Sequence, residues 1–333
     1  MHNARGYIQL IATGGTISAG PEGPLRASSI IKMARRLPAD VPIRGEDLLT
    51  VPSSRFSVDD LHRLAERVNE AVSDEACLGV VVTHGTDSME ESALAVELLG
   101  APSKPVVFTG AMVPTRDAGA DGPTNVADAF DCVLSDSAQR LGTVVVMNQR
   151  IHAALDVRKL HTENKDAFAS GDSGPIGLIS PETVEIVRSP ARLGFRSSKL
   201  EERVELVTLT TGLGGARMIK LAARDGARGI VVEAFGAGNL PERATEAAAR
   251  AMEEGVVVLV TSRVPTGDME LDSPAAKAGL IPAITAGRRL PGPSARILLM
   301  AQLGEGLGEN QIRTLLLSGS LEELLEDPMP DSG

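Results

Sequence analysis

The chain is predicted to fold as two α/β domains, a larger N-terminal parallel-sheet domain and a smaller C-terminal one. Three observations carry this prediction. Short apolar runs rich in Val and Ile alternate with amphipathic stretches, the pattern of repeated βα units. The runs are continuously apolar, so each strand should be buried on both faces of a parallel sheet. The aperiodic segment "SPARLGFRSSKLEER" interrupts the alternation, which predicts a linker over 189–203 between domains at 1–188 and 204–333.

The elements follow in order. "YIQLIAT" predicts a buried strand. "SVDDLHRLAERVNEAV" predicts a helix: Ser57 suits the N-cap, Asp59 and Asp60 the first turn, and Leu61, Leu64 and Val68 share a face. "LGVVVTHGT" reads as strand then loop and "SMEESALAVELL" as a helix. "KPVVFTGAM" is a strand, "NVADAFDCVLS" a helix and "GTVVVMNQ" a strand. After the linker come "VELVTLT", "GGARMIKLAARDG", "ARGIVVEAFGAG", "PERATEAAARAMEEG", "VVVLVTSRV" and "SARILLMAQLG", a second α/β set. "LEELLEDPMPDSG" is expected to be a solvated acidic tail.

Composition narrows the function. Of 333 residues, 43% are hydrophobic and 23% charged, enough for a sizeable core. The 44 acidic and 33 basic residues leave a formal net charge of -11, which disfavours nucleic acid and anionic membrane as partners. With no Trp, one Tyr and six Phe, stacking platforms for bases are not expected. Cys77 and Cys132 lie far apart with no CxxC, so buried free thiols are expected rather than a disulfide scaffold or zinc site. "MHNARGYIQLIATGG" has no apolar h-region or cleavage site, and no apolar run is long enough to cross a bilayer; the expected location is the cytoplasm.

In open parallel sheets, ligands bind beyond the carboxyl ends of the strands. Three strand ends carry polar loops punctuated by glycine: "TGGTIS", "THGTDSMEE" and "TGAMVPT". The first could cradle a phosphate or be a turn built to expose the Thr16 hydroxyl; it lacks the GxGxxG spacing, an acidic ribose partner and a P-loop lysine, which disfavours a nucleotide. "TTGLGGARM" at Thr210 to Met218 is better explained by close packing of helix on strand. The second loop puts Thr86 and Asp87 where a strand ends and a helix begins, and the NH groups of that helix could hold a developing negative charge. Asp87 could fix a cationic substrate group, but helix capping is the commoner role for it and for Ser88. His84 is expected to be packed rather than a general base. Lys159, in "ALDVRKLHTENKDAF", would ordinarily be solvated. Beside a threonine hydroxyl in a dry cleft its pKa would fall, and it could accept the hydroxyl proton.

Taken together, these residues resemble the bacterial-type L-asparaginases, the asparaginase/glutaminase family, over nearly the whole chain. The resemblance rests on "ATGGTIS" at Ala12 to Ser18 and "VTHGTDSMEE" at Val82 to Glu91, with "TGAMVP", "ADGPTN", "GAGN" and "SRVPTG" in support. It implies hydrolysis of the side-chain amide of asparagine, in some members also glutamine, with no cofactor and no metal. It implies a small-molecule amide as partner, a flavodoxin-like C-terminal domain, and a homodimer or homotetramer in which that domain completes the neighbouring subunit's site. Position by position, Thr16 matches the nucleophile, and Thr86 the second catalytic threonine, linked with Asp87 and Lys159. Asp87 also matches the residue that holds the α-ammonium. Ser53 or Ser54 falls where the α-carboxylate is bound, and Ala111 lies in a substrate-binding segment. Asn239 and Asp272 fall in the stretches that reach the neighbouring site.

The sequence also departs from the family's pattern. The lid "SAGPEGPLRASSI" lacks the family's tyrosine, and Tyr7 precedes the nucleophile in a predicted strand. A second Ser or Arg55 follows the carboxylate-binding serine in place of Gln or Glu, and Asp272 is a methylene shorter than the usual Glu. Two alternatives follow: an amide substrate lacking a free α-ammonium, or a catalytically weak asparagine/aspartate-binding protein. An amidotransferase-type subunit working with charged tRNA is disfavoured by the net charge of -11.

Overall fold

The computed structural model describes residues 6–318, apart from 21, 22, 101, 192, 194 and 286. The expected acidic tail therefore lies outside the described residues. Two compact units divide the chain, Met1–Pro190 and Ala191–Gly333.

The first unit carries eight main strands: β1 (Tyr7–Ala12), β2 (Ile43–Asp47), β3 (Cys77–Thr83), β4 (Val106–Thr109), β5 (Thr143–Met147), β6 (Arg150–Ala153), β7 (Gly177–Ile179) and β8 (Val184–Ile186). They form one sheet in the order β8-β7-β6-β5-β4-β3-β1-β2. The strands β1 to β5 run parallel, as the apolar runs of β1, β3, β4 and β5 predict; β2, with the sequence IRGED, carries no such run and is not signalled by that pattern. The antiparallel extension β6 to β8 is not signalled by that pattern. It begins at a two-residue turn where Asn148 and Gln149 take φ of 48 and 62, the left-handed pair a tight hairpin requires.

Alternate residues of each strand feed two separate cores. Ile8, Leu10, Val81, Val107, Val144 and Val146 pack on α1 (Ala27–Met33) and α4 (Gly122–Leu134). Ile11, Val80, Val82, Phe108 and Val145 pack on α2 (Val58–Ser73) and α3 (Met89–Gly100). The α2 helix starts where its sequence predicts. Ser57 accepts from the Asp60 amide while the Asp60 side chain reaches back, a full capping box.

Strand order and helix faces together fix the hand of each crossover. The three connections through α1, α2 and α3 share one hand. The α4 connection steps the same way along the sheet as α3 but covers the opposite face, so its hand is reversed. Right-handed crossovers are the rule, in about 98% of cases, which makes the β4–α4–β5 unit the left-handed exception. At one edge of the sheet, the charged side chains of β2 are bonded to neighbouring elements. Glu46 bonds Arg67 at 2.7 Å, Asp47 accepts from the Ala27 amide at 2.7 Å, and Arg44 lies over the Tyr7 ring at 3.6 Å.

In the second unit β9 (Val204–Thr208), β10 (Gly229–Ala234), β11 (Val257–Ser262) and β12 (Ile281–Pro282) form a parallel sheet in chain order. One face packs α5 (Gly214–Arg224) and α6 (Glu242–Glu253) through Ile230, Val232, Val258 and Val260. The short α7 (Ser273–Lys277) follows β11, and α8 (Gly292–Gly304) and α9 (Glu309–Ser318) end the unit. Leu299 of α8 packs closely on Gly229, where an added Cβ would lie 2.7 Å from its terminal methyl. A Cβ on Gly215 would overlap Leu209, the close helix-on-strand packing expected of "TTGLGGARM". The second unit has the layered parallel build expected of it, with α5 and α6 on one face and both of their steps advancing the same way. Much of the segment expected to be a linker is anchored here. Phe195 and Leu200 are buried, and Ser197 donates to the Ala301 carbonyl at 3.0 Å.

Candidate active site

The sheet order reverses between β1 and β3, and it is at such a switch point that open α/β sheets leave a crevice. The loops that leave these two strands meet main chain to main chain. Gly15, at φ 87, lies so close to Gly85 that a Cβ on Gly15 would overlap the Gly85 Cα. A Cβ on Gly85 would in turn sit 2.5 Å from the Ser53 hydroxyl oxygen. The third loop joins at Gly110, where an added Cβ would lie 2.6 Å from the His84 carbonyl and 3.5 Å from the Thr86 methyl. The glycines of the three motifs are therefore what lets the loops converge.

Thr16 opens a single 3₁₀ turn, Thr16–Ser18, and is half-buried. The turn is held from outside by the Thr115 hydroxyl, which donates to the Ile17 carbonyl at 2.9 Å. Beyond it the lid doubles back as a short ladder, with Ala19 opposite Pro24 and Gly20 opposite Gly23. Tyr7 sits at the far, N-terminal end of β1 and donates to Asp74 at 2.7 Å, so it takes no part in the lid.

Thr86 and Lys159 come together, though 73 residues separate them. The Lys159 ammonium donates to the Thr86 hydroxyl at 2.8 Å and to Asp87 at 2.9 Å. Thr86 is buried, while the Asp87 side chain is 62% exposed and faces open space. Asp87 thus engages an ammonium, and the Ser88 hydroxyl donates to the Ser53 carbonyl at 2.7 Å. Ser53 is buried and accepts from the Asp87 amide at 3.2 Å, whereas Ser54 and Arg55 are exposed. Of the two candidate serines, Ser53 is the one that faces the loops.

Glu90 and Asp121 hold the site together and went unassigned in the sequence. Glu90, in the first turn of α3, accepts from the Lys159 amide at 2.5 Å and pairs with Arg158 at 3.2 Å. Burial raises its carboxyl above the ordinary range, against the opposing pull of Arg158. Asp121 accepts from the Met112 amide at 3.0 Å, the Val113 amide at 2.9 Å and the Asn125 side chain at 3.1 Å. Asn125 also donates to the Gly110 carbonyl at 2.9 Å. This network fixes the loop that carries Ala111, itself fully buried, at the mouth of the left-handed crossover. Both residues lie inside quoted motifs, "TDSMEE" and "ADGPTN", which was the available signal.

His84 is packed, as expected. It is wholly buried between Phe56 and Phe108, its Nδ1 lies 2.7 Å from the Gly85 carbonyl, and burial lowers its pKa to about 4. Cys77 and Cys132 are buried free thiols. Among the described residues, no three His, Cys, Asp or Glu side chains gather as a metal-ligand set, and no helix is long and apolar enough to cross a membrane.

In the second unit, Asn239 closes a tight turn after β10, bonded to Phe235, and its side chain is exposed. Asp272 caps α7 through the Ala275 amide at 2.8 Å and reaches the Leu240 amide at 3.5 Å. The loops of Asn239 and Asp272 are therefore neighbours at the carboxyl edge of their own sheet.

Both fold and motifs define a two-unit α/β protein with a threonine–lysine–aspartate cluster at a sheet switch point. Residues 7–192 match the model of the asparaginase N-terminal domain, and 203–316 that of the glutaminase/asparaginase C-terminal domain. The chain is 32% identical to L-asparaginase 2 of Bacillus subtilis over 312 residues, 89% of this chain and 82% of that one. It is 31% identical to L-asparaginase 2 of Escherichia coli over 327 residues, 92% of each chain. The crystal structure of a probable cytoplasmic L-asparaginase from Campylobacter jejuni superposes with a TM-score of 0.83 at 30% identity, covering 93% of this chain and 99% of that one. The chain belongs to the asparaginase family.

Proposed function

We propose that this protein is an amidohydrolase that converts L-asparagine and water to L-aspartate and ammonia, with Thr16 as nucleophile. The observation that carries the proposal is the Lys159 ammonium, shared by Thr86 and Asp87 beside the Thr16 loop. The Thr16 hydroxyl adds to the amide carbon, ammonia leaves, and water then releases aspartate from the acyl-threonine. Thr86, held by Lys159, relays the proton: a weak alcohol nucleophile needs such a base or cation nearby. Asp87 holds the substrate ammonium through its exposed oxygen, Ser53 the α-carboxylate, and Ala111 lines the amide side. Asn239 and Asp272 contact the site of a neighbouring subunit in a homodimer or homotetramer. The reaction takes place in the cytoplasm, a location supported by the likeness to the Campylobacter protein.

Ammonia release from asparagine tests the proposal. Thr16→Ala and Thr86→Ala should each lower kcat by about a thousandfold or more, with aspartate still bound. Wild-type activity in both variants would refute it, and binding without turnover in the wild type would leave a binding protein. Sedimentation of the wild type reads the assembly. The exposed Ser54 and Arg55 after Ser53 favour one second reading, an amide with its α-amino group masked. A higher kcat/KM for N-acetyl-asparagine than for asparagine would establish it.

A further inference from the structure

We propose that Glu90 is a positioning residue: by gripping the backbone of Lys159 it sets where the lysine ammonium lies relative to Thr86. The proposal rests on the role given above to Lys159. The geometry forms a closed ring. Thr86 and Asp87 lie on the turn into α3, Glu90 is in the helix's first turn, and Lys159 returns from a separate ladder with Phe168–Ala169. One Glu90 oxygen accepts from the Lys159 amide at 2.5 Å, while the Lys159 ammonium bonds back to Thr86 at 2.8 Å. The other Glu90 oxygen pairs with Arg158, the preceding residue, at 3.2 Å. Two adjacent residues of the Lys159 segment are thus fixed by one carboxylate, three residues beyond Asp87. The Lys159 side chain is long and flexible, so its reach depends on where its backbone is pinned. A misplacement of about 1 Å at a reacting group can lower a rate a hundredfold.

Glu90 is nine-tenths buried, an unfavourable place for an anion, with Arg158 and Lys159 as its cationic neighbours and Glu91 the acidic one. Burial raises its pKa, so the folded protein takes up this proton more readily than the unfolded chain does. Ionisation of Glu90 therefore opposes stability as pH rises through that range. A carboxylate kept for stability alone would not carry this penalty, and its removal need not weaken the fold.

The test is Glu90→Gln, compared with Glu90→Asp and Lys159→Met, on the full-length enzyme with asparagine. Glu90→Gln should lower kcat about tenfold with KM within twofold of wild type and no loss in melting temperature. The acid-side fall of kcat that reports Glu90 protonation should vanish from its pH profile. Glu90→Asp keeps the charge and should recover that acid limb with an intermediate kcat; it also serves if Glu90→Gln does not fold. Wild-type kcat and pH profile in Glu90→Gln, with Lys159→Met inactive, would overturn the positioning role and leave the reaction scheme intact. Full activity in Lys159→Met would overturn the scheme itself.

Discussion

At the scale of single residues, the site is assembled by what glycine lacks. Gly15 and Gly85 touch through their main chains, and Gly15 sits at φ 87, where an L-side chain is strained. Gly15→Ala should therefore both unfold the protein more easily, by roughly 2–3 kcal/mol, and reduce kcat by pushing the Thr16 loop away from Thr86. Urea melts and ammonia assays on the same preparation check this; an unchanged denaturation midpoint would show that the loops yield freely. The candidate cluster was partly legible in the sequence. Thr16, Thr86 and Asp87 stood in specific motifs, but Lys159 stood in none, and only its resemblance position singled it out. Contacts between chain segments 73 residues apart leave no local pattern. Glu90 was overlooked for the opposite reason. An acid in the first turn of a helix is ordinary there, and its second duty toward Lys159 becomes visible only in three dimensions.

At the scale of elements, local signals decided what local forces decide. The α2 helix begins at its predicted cap and buries Leu61, Leu64 and Val68. The α4 helix starts earlier than "NVADAFDCVLS" suggested, at Gly122, because Pro123 can occupy a first helical turn whose amides need no helical partner. The reversed hand of the β4–α4–β5 crossover could not be read in advance, since a helix's apolar stripe does not say which face of the sheet it covers. The loop that opens this crossover is held by the Asp121 network. Asp121→Asn removes the charge behind the bonds to Met112 and Val113 and should lower stability by about 2–3 kcal/mol. Faster hydrogen exchange confined to residues 110–115 would accompany the loss. Uniform exchange across the unit would contradict this account of the loop.

At the scale of the whole molecule, buried ionisable groups set the response to acid. Burial lowers His84 and His152 to about 4, from an ordinary 6.5. The unfolded chain takes up their protons below pH 6.5 while the folded one does not, so stability falls from there to about pH 4. The loss is about 3 kcal/mol for each histidine. Asp128, paired with Arg36 at 3.4 Å, acts in the opposite sense: burial raises it to about 6, so the folded protein gains stability as this group is protonated. Asp128→Asn should melt higher than wild type at pH 7 and lose stability more steeply down to pH 4. Parallel melting curves for the two proteins across that range would show that Asp128 is not the counterweight. One feature of the sheet matters beyond the single molecule. An open sheet ends in unpaired amides and carbonyls, a template on which strands of other chains can add. The side chains of Arg44, Glu46 and Asp47 at the β2 margin are already committed to Tyr7, Arg67 and the α1 backbone. Charge on an edge strand disfavours the addition of another strand beside it. In a concentrated solution, that barrier works against fibrous aggregation from this margin.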